Sequence, residues 1–285
     1  MNPVLIFLCL LLLLLSLPIR AEILQCSNHH GRLIFTDQVH LCAHSIQEKS
    51  LSSNNLMSSQ HVDIDVNYRI QRRDYSRYDN SSWLIYYEAS MFEGDPVLLK
   101  RSLEKLSRYL SEVELLLPAS SINLLKKVDF YLLWGKASPQ GGKSSGLRYL
   151  RNNERVYRKN IDPSWNESVV IFSAKNFMSL NPQLTRHVLI HELAHAWHIQ
   201  ERWLYNKEIK AAANDAEKHK LYHLLKGENG QYIPKAYAMK NYFEYFAELS
   251  SIYFARNYYF PFDREQLKTH DSQGYALVKK LWGLE

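Results

Sequence analysis

The chain has 285 residues, 46% of them hydrophobic, and a formal net charge of +6 at pH 7. This length suits one domain of about 200 residues with a small N-terminal element, and it allows a sizeable core. The basic residues are spread over 69–77, 148–159 and 202–220 instead of forming one dense block. That distribution argues against nucleic-acid binding, which needs a concentrated basic footprint.

The first 21 residues are typical of a secretory signal peptide. They are apolar from Val4 to Ile19 with two exceptions, and the small Ala21 precedes the charged Glu22. The apolar run is shorter than the roughly 20 residues that a transmembrane helix needs. We therefore expect cleavage after residue 21, a secreted or periplasmic location and no stable membrane anchor in the mature protein. A permanent anchor is the alternative, because no basic residue precedes the run.

Residues 22–44 predict a small β-hairpin module, in which two short apolar strands flank a turn that ends at Gly31. Cys26 and Cys42 are the cysteines that remain in the mature chain, since Cys9 leaves with the signal peptide. An even pair of cysteines in an exported protein indicates one disulfide. We therefore expect a bond between Cys26 and Cys42 that closes the module.

Residues 45–80 are rich in Ser, Asn, Gln and charged residues, which is typical of a polar linker. The segment 81–285 has the strand and helix patterns of one α+β domain. Its predicted elements, in chain order, are a strand at 83–88, helices at 96–114 and 121–127, a strand at 128–134, a glycine-rich loop at 135–146, hairpin arms at 148–151 and 155–158, a buried strand at 168–173 and a helix that begins at Asn181-Pro182.

The segment VLIHELAHAWHIQ, residues 188–200, predicts a helix with a metal site on one face. An α-helix turns about 100° per residue, so His191 and His195 project from the same face, about 6 Å apart along the axis. This spacing lets two imidazoles hold one tetrahedral ion. Glu192 then lies beside the open coordination position, where it can accept a proton from water.

Other residues of this helix are expected to have roles besides binding the metal. His187 and His198 also point to the histidine side, but His198 lies roughly 10 Å from His191 along the axis. We therefore expect both to have supporting or ordinary surface roles. An apolar stripe on the opposite face is expected to face the core; it comprises Leu189, Ile190, Leu193, Ala196 and Trp197. Because H-E-x-x-H is a short pattern that also occurs by chance, a core helix with hydrogen-bonded histidines is the alternative.

A catalytic zinc site needs a third protein ligand and one open position. Residues 237–257, YAMKNYFEYFAELSSIYFARN, predict a second helix on which Glu244 and Glu248 lie one turn apart. Buried carboxylates are unfavourable unless a cation faces them. Glu244 is therefore the candidate third ligand, and Glu248 is a candidate to hold a ligand histidine through its other ring nitrogen. Asn241 and Glu244 also have the spacing of a capping box, so the alternative is that Glu244 only caps this helix.

HELAH at 191–195 and Y-x-x-x-N-x-x-E-Y-F-A-E at 237–248 together resemble the gluzincin metallopeptidases, most closely the catalytic domain of anthrax toxin lethal factor. The resemblance covers 170–257 by motif and 83–169 by the order of strands and helices. It implies a zincin-like α+β fold, with a small twisted sheet, an active-site helix and a C-terminal helical part.

The resemblance also implies roles for individual residues. It implies one Zn²⁺ per chain held by His191, His195 and Glu244, Glu192 as the general base, Tyr237 as the group that stabilises the oxyanion or protonates the leaving amine, and Glu248 as a supporting carboxylate. The other domains of the toxin have no counterpart here, so its substrates and partners do not transfer.

The expected function is hydrolysis of a peptide or protein substrate by a secreted zinc metallopeptidase. A substrate strand is expected to pair with an edge strand formed by one arm of 147–158. The alternative is a secreted binding or regulatory protein that keeps the zincin fold without catalysis. Hydrolysis of a substrate other than a peptide is a third possibility, because specificity depends on loops such as 135–146.

Overall fold

The computed structural model describes residues 24–27, 33–36, 73–151 and 162–285. The chain divides into two compact units, 1–48 and 49–285. The predicted signal peptide at 1–21 lies outside the described residues, as do Cys42 and the predicted hairpin arm at 155–158. In the described part of the chain, none of the helices combines the length and the hydropathy that crossing a bilayer requires.

The first unit contains one described pair of strands. Strand β1 (Leu24–Ser27) runs antiparallel to β2 (Leu33–Thr36), with Leu24 opposite Thr36 and Ser27 opposite Leu33. This pairing agrees with the strands of the predicted hairpin module. The predicted disulfide stays a prediction, because it joins Cys26 on β1 to Cys42.

The second unit contains a five-stranded mixed sheet. Its strands are β3 (Tyr75–Arg77), β4 (Ile85–Glu88), β5 (Phe130–Leu132), β6 (Leu147–Leu150) and β7 (Ser168–Ile171), in the spatial order β3-β4-β5-β7-β6. The three central strands are parallel to one another, and the two outer strands are antiparallel to their neighbours. Every residue of β5 and β7 is buried, as expected for apolar strands covered on both faces.

The N-terminal boundary of the sheet differs from the prediction. Strand β3 lies inside 45–80, which the sequence indicated as a linker, yet Tyr75 pairs with Glu88 of β4. The Tyr75 hydroxyl donates to Asp162 and accepts from the indole N–H of Trp165. Residues 75–77 therefore belong to the sheet and not to a linker. The sequence did not indicate this strand, because β3 is only three residues long and has no apolar alternation of its own.

The described residues also form nine α-helices. They are α1 (Ser90–Gly94), α2 (Pro96–Leu116), α3 (Ala119–Leu125), α4 (Ala174–Ser179), α5 (Pro182–Glu201), α6 (Asn206–Lys218), α7 (Tyr242–Phe254), α8 (Arg264–His270) and α9 (Ser272–Trp282). A separate hairpin of β8 (His223–Lys226) and β9 (Tyr232–Lys235) precedes α7. The mixed strands and helices confirm the predicted α+β class.

Helix α5 is the centre of the second unit. It packs against α2, β6 and β7, and most extensively against α7. Its N-terminus has Asn181 as the capping residue and Pro182 in the first turn, the arrangement that favours helix initiation. Helix α7 packs in turn against α6, α8 and α9, and Trp197 of α5 stacks on Trp282 of α9. The site described next lies between α5 and α7.

Candidate metal centre

Helix α5 is buried on both faces. The predicted apolar stripe is fully covered, but His187, His191, Glu192 and His198 are buried as well. A simple amphipathic pattern suggests that the polar side of the helix faces open solvent. In the structure, α7 lies over that side instead. Close approach of the two helices is possible because α7 has small residues there, and the hydroxyl of Ser251 donates to the main-chain oxygen of His187 at 3.1 Å.

Three side chains converge at this interface. The Nε2 atoms of His191 and His195 lie 3.1 Å apart. Glu244 Oε2, from the first turn of α7, lies 3.1 Å from His191 Nε2 and 3.0 Å from His195 Nε2. The two imidazole rings are nearly perpendicular, at 82°. The structure thus brings together His191, His195 and Glu244, the residues that the sequence singled out as ligands.

This donor set fits a zinc ion. Two imidazole nitrogens and one carboxylate oxygen are ligands typical of catalytic zinc, and tetrahedral bonds of about 2.0–2.1 Å place neighbouring ligand atoms roughly 3.3 Å apart. The three observed separations are close to that value, and the same three residues form one of two groups in the described residues whose atoms could hold a metal.

The carboxylates and histidines of the cluster also change one another's pKa values. Burial opposes the ionisation of Glu244, but His195 and His191 outweigh it, so the pKa of Glu244 lies well below its usual range. Burial opposes protonation of His191 too, yet its hydrogen bonds to Glu244 and Glu248 raise the pKa of His191 well above its usual value. Buried carboxylates therefore require positive charge here, which a proton on His191 or a divalent cation supplies.

Glu248 contacts the other nitrogen of a ligand candidate. Its Oε1 atom lies 2.9 Å from His191 Nδ1, whereas Glu244 faces Nε2 of the same ring. A carboxylate on the outer nitrogen of a metal-binding histidine sets its tautomer and orientation. The geometry places Glu248 in the supporting position that the sequence indicated.

Glu192 is held by the edge of the sheet. Its Oε2 atom accepts a hydrogen bond from the main-chain N–H of Tyr149, on β6, at 2.6 Å. Tyr149 stands opposite Val169 of β7, but the carbonyl of Gly146 accepts from the N–H of Phe172. Every second residue from Gly146, including Arg148 and Leu150, therefore directs its backbone groups at β7. The N–H of Tyr149 therefore points away from the sheet and towards α5. This contact leaves no mark in the sequence, because any residue except proline supplies a main-chain N–H.

Tyr237 lies on a single 3-10 turn (Tyr237–Lys240) just before α7. Its hydroxyl donates to Glu244 Oε1 at 3.2 Å, and its ring centroid lies 5.8 Å from that of His191. Lys240 was not singled out in the sequence, yet its Nζ donates to the Tyr237 hydroxyl at 3.3 Å and lies 3.9 Å from Glu244 Oε1. The feature of the sequence that could have indicated Lys240 is its spacing, one turn after Tyr237 and one turn before Glu244.

Asn241, and not Glu244, provides the cap of α7. The Asn241 side chain accepts from the main-chain N–H groups of Phe243 and Glu244 at 2.9 and 3.0 Å. Glu244 directs its carboxylate at the histidines instead. The capping-box alternative is therefore not what the geometry shows.

We expect Asn241→Ala to lower the free energy of unfolding by about 1 kcal/mol, because it removes an N-cap acceptor. Urea unfolding measured on metal-free protein checks this value. Asn241→Ser, which keeps an oxygen acceptor, is the matched control and is expected to retain most of the stability. Equal losses in both variants would contradict a capping role.

His187 and His198 are not surface residues, contrary to one of the two roles expected for them. His198 is enclosed by Phe243 and Phe246, and its Nε2 donates to Asn206 Oδ1 at 2.7 Å. Burial lowers the pKa of His198 to about 4. The spacing alone showed that His198 is too far from the site, but it did not show that α6 and α7 would cover it.

The depressed pKa of His198 predicts acid sensitivity. The folded state keeps this ring neutral below its ordinary pKa of 6.5, whereas the unfolded chain binds a proton, so stability falls as pH drops from 6.5 towards 4. Between neutral pH and about pH 4.5, wild type is expected to lose about 2 kcal/mol more than His198→Gln. Urea unfolding of the metal-free proteins at both pH values measures the difference, with exposed His219→Gln as the control. The same pH dependence in His198→Gln and wild type would contradict the assignment.

No protein-family model, curated protein or solved structure matches the chain. The functional assignment therefore depends on the motifs and on the geometry of this site.

Proposed function

We propose that the second unit has a zincin-like fold and is an exported, zinc-dependent metallopeptidase that binds one Zn²⁺ through His191, His195 and Glu244. The observation that carries the proposal is the convergence of these three side chains within 3.1 Å of one another, next to Glu192 in the same helical turn. Two histidines and a carboxylate leave one position of a tetrahedral ion open, as catalytic sites require.

The catalytic roles are assigned to residues around this centre. A bound zinc ion would lower the pKa of a water molecule towards 7 and polarise the scissile carbonyl. Glu192 accepts the proton of the attacking water and later delivers it to the leaving nitrogen. Its Oε2 is held by Tyr149, so we assign the proton transfer to Oε1.

Tyr237 is assigned to the developing oxyanion. Its hydroxyl lies beside Glu244 and belongs to a turn that is fixed at the start of α7. One hydrogen-bond donor to an oxyanion contributes on the order of 3 kcal/mol to transition-state stabilisation. The nearby Lys240 ammonium donates to the same hydroxyl, so it keeps that hydroxyl in the site.

A peptide is the substrate class that the sheet supports best. Strand β6 is the outermost described strand beside β7, and Tyr149 of β6 contacts Glu192 directly. Because the N–H of Tyr149 is already bound to Glu192, an extended peptide would pair with the other outward-facing main-chain groups of this edge, and it would then lie next to the general base. The edge is thus suited to a substrate whose own backbone is to be cut.

Metal content and cleavage of a peptide library, measured on the same preparation, test the proposal. We expect one zinc per chain, cleavage that stops with a chelator and cleavage that returns when zinc is added. Zinc binding with no cleavage of any peptide would favour the secreted binding protein. Cleavage that persists fully after the metal has been removed would rule out the proposed mechanism.

A further inference from the structure

We infer that His187 and Tyr259 are positioning residues of the metal centre, which hold the Glu248 carboxylate against His191. The inference rests on the proposed zinc site and adds two residues to it. Neither residue belongs to the motifs that pointed to the site. Tyr259 lies beyond α7, and His187 lies one turn before His191 on α5.

Both oxygens of Glu248 are engaged. Oε1 faces His191 Nδ1 at 2.9 Å and His187 Nε2 at 3.4 Å, and Oε2 accepts from the Tyr259 hydroxyl at 2.7 Å. Glu248 is 5% exposed, so these groups replace the water that its carboxylate would otherwise bind. With donors on both oxygens, the carboxylate plane cannot rotate without breaking a hydrogen bond.

The tautomer of His187 follows from its surroundings. Within the described part of the chain, His187 Nδ1 has no hydrogen-bond partner, while Nε2 faces Glu248. A neutral ring therefore carries its hydrogen on Nε2 and donates it to the carboxylate. Ser251 fixes the main chain of the same residue by donating to its carbonyl, and the ring packs edge-on against Tyr258.

Tyr259 is held by a different part of the fold. Its side chain is 1% exposed, and its main chain forms a bridge to Gly227 at the end of the β8–β9 hairpin. The next residue, Phe260, donates its N–H to the carbonyl of Lys226 at 2.9 Å. Backbone contacts that do not involve α5 thus fix the position of the hydroxyl, and the hydroxyl can hold the Glu248 carboxylate in place.

His187, His191 and Glu248 also form the second group of atoms in the described residues that could hold a metal. A metal there would need the Nδ1 lone pair of His191, although Nε2 of the same ring faces the zinc position. A neutral imidazole has only one free lone pair, and its other nitrogen carries a hydrogen. The geometry therefore fits a hydrogen-bonded chain that leaves His191 Nε2 free to bind zinc.

Zinc affinity is the direct test, measured by competition with a chromophoric chelator. Tyr259→Phe and His187→Gln are each expected to keep one zinc per chain and to bind it about tenfold more weakly, as supporting hydrogen bonds to ligands typically do. Tyr222→Phe is the matched control, because Tyr222 is a buried tyrosine whose hydroxyl donates to another carboxylate, Asp271. Its zinc affinity is expected to equal that of wild type.

A double-mutant cycle separates positioning from general destabilisation. In a Glu248→Gln background, adding Tyr259→Phe is expected to change zinc affinity by much less than tenfold, because Tyr259 acts through Glu248. Urea unfolding of the metal-free variants identifies any that fail to fold. If His187→Gln or a variant that carries Glu248→Gln fails to fold, the zinc affinity of Tyr259→Phe is the test.

Three results would overturn the inference. One is a wild-type zinc affinity in both single variants. Another is a Tyr259→Phe effect that is fully additive with Glu248→Gln. The last is a second zinc per chain that is lost in His187→Gln. A wild-type protein that binds no zinc would instead refute the proposed function itself, before any variant is compared.

Discussion

Glu192→Gln is expected to keep one zinc per chain and to lose about 100-fold to 10,000-fold in peptide cleavage, the range typical of a general base. Glutamine has nearly the same shape, and its amide oxygen can still accept the N–H of Tyr149 that Glu192 binds at 2.6 Å. It cannot accept a proton at neutral pH. The loss should therefore appear in kcat with metal content unchanged, and both are measured on one preparation.

The control for this variant lies on the same helix. Glu201 is exposed at the C-terminal end of α5, so Glu201→Gln makes the same chemical change away from the site. We expect its cleavage rate to match that of wild type. Full activity in Glu192→Gln would refute the assignment of Glu192 as the general base.

Glu244→Ala is expected to weaken zinc binding by more than the roughly 10–100-fold that loss of a supporting hydrogen bond causes. The reason is that Glu244 Oε2 lies within 3.1 Å of both histidine Nε2 atoms, so its removal deletes one of three ligands. Cleavage at limiting zinc should fall in parallel. Chelator competition measures the affinity, and added zinc should restore part of the activity.

Asn241→Ala serves as the comparison for Glu244→Ala. Both substitutions affect the first turn of α7, but Asn241 caps the main chain and does not face the histidines. We expect Asn241→Ala to lower stability while its zinc affinity stays within a few-fold of wild type. If Glu244→Ala behaved in the same way, with unchanged zinc affinity, Glu244 would have only a role in starting the helix.

Most of what the sequence predicted about the site depends on local geometry; the exception is the approach of Glu244 to the histidines, which the cost of a buried carboxylate and the family resemblance indicated. His191 and His195 share a face because of the helical repeat alone, and Glu244 and Glu248 are related in the same way on α7. The capping positions Asn181 and Asn241 likewise reflect bonds within a few residues. Local rules of this kind need no knowledge of how the two helices pack.

The remaining parts of the site depend on tertiary contacts. Tyr259 reaches Glu248 from beyond the end of α7, and the bond from Tyr149 to Glu192 joins residues that are 43 positions apart. The burial of His187 and His198 follows from the packing of neighbouring helices. Strand β3 was missed for a similar reason, because its place in the sheet depends on pairing with β4 and not on its own pattern.

The bond between Tyr149 and Glu192 determines which substitutions of the edge strand leave Glu192 undisturbed. Because the donor is a main-chain N–H, a substitution of Arg148, the residue of β6 that is not buried, leaves this hydrogen bond in place as long as the strand keeps its pairing with β7. Proline at position 149 would remove the bond, since it alone lacks this hydrogen. If the second unit acts as proposed, Arg148 is therefore the position of β6 at which substitutions can change which residues are recognised in a substrate without changing the hydrogen bond to Glu192.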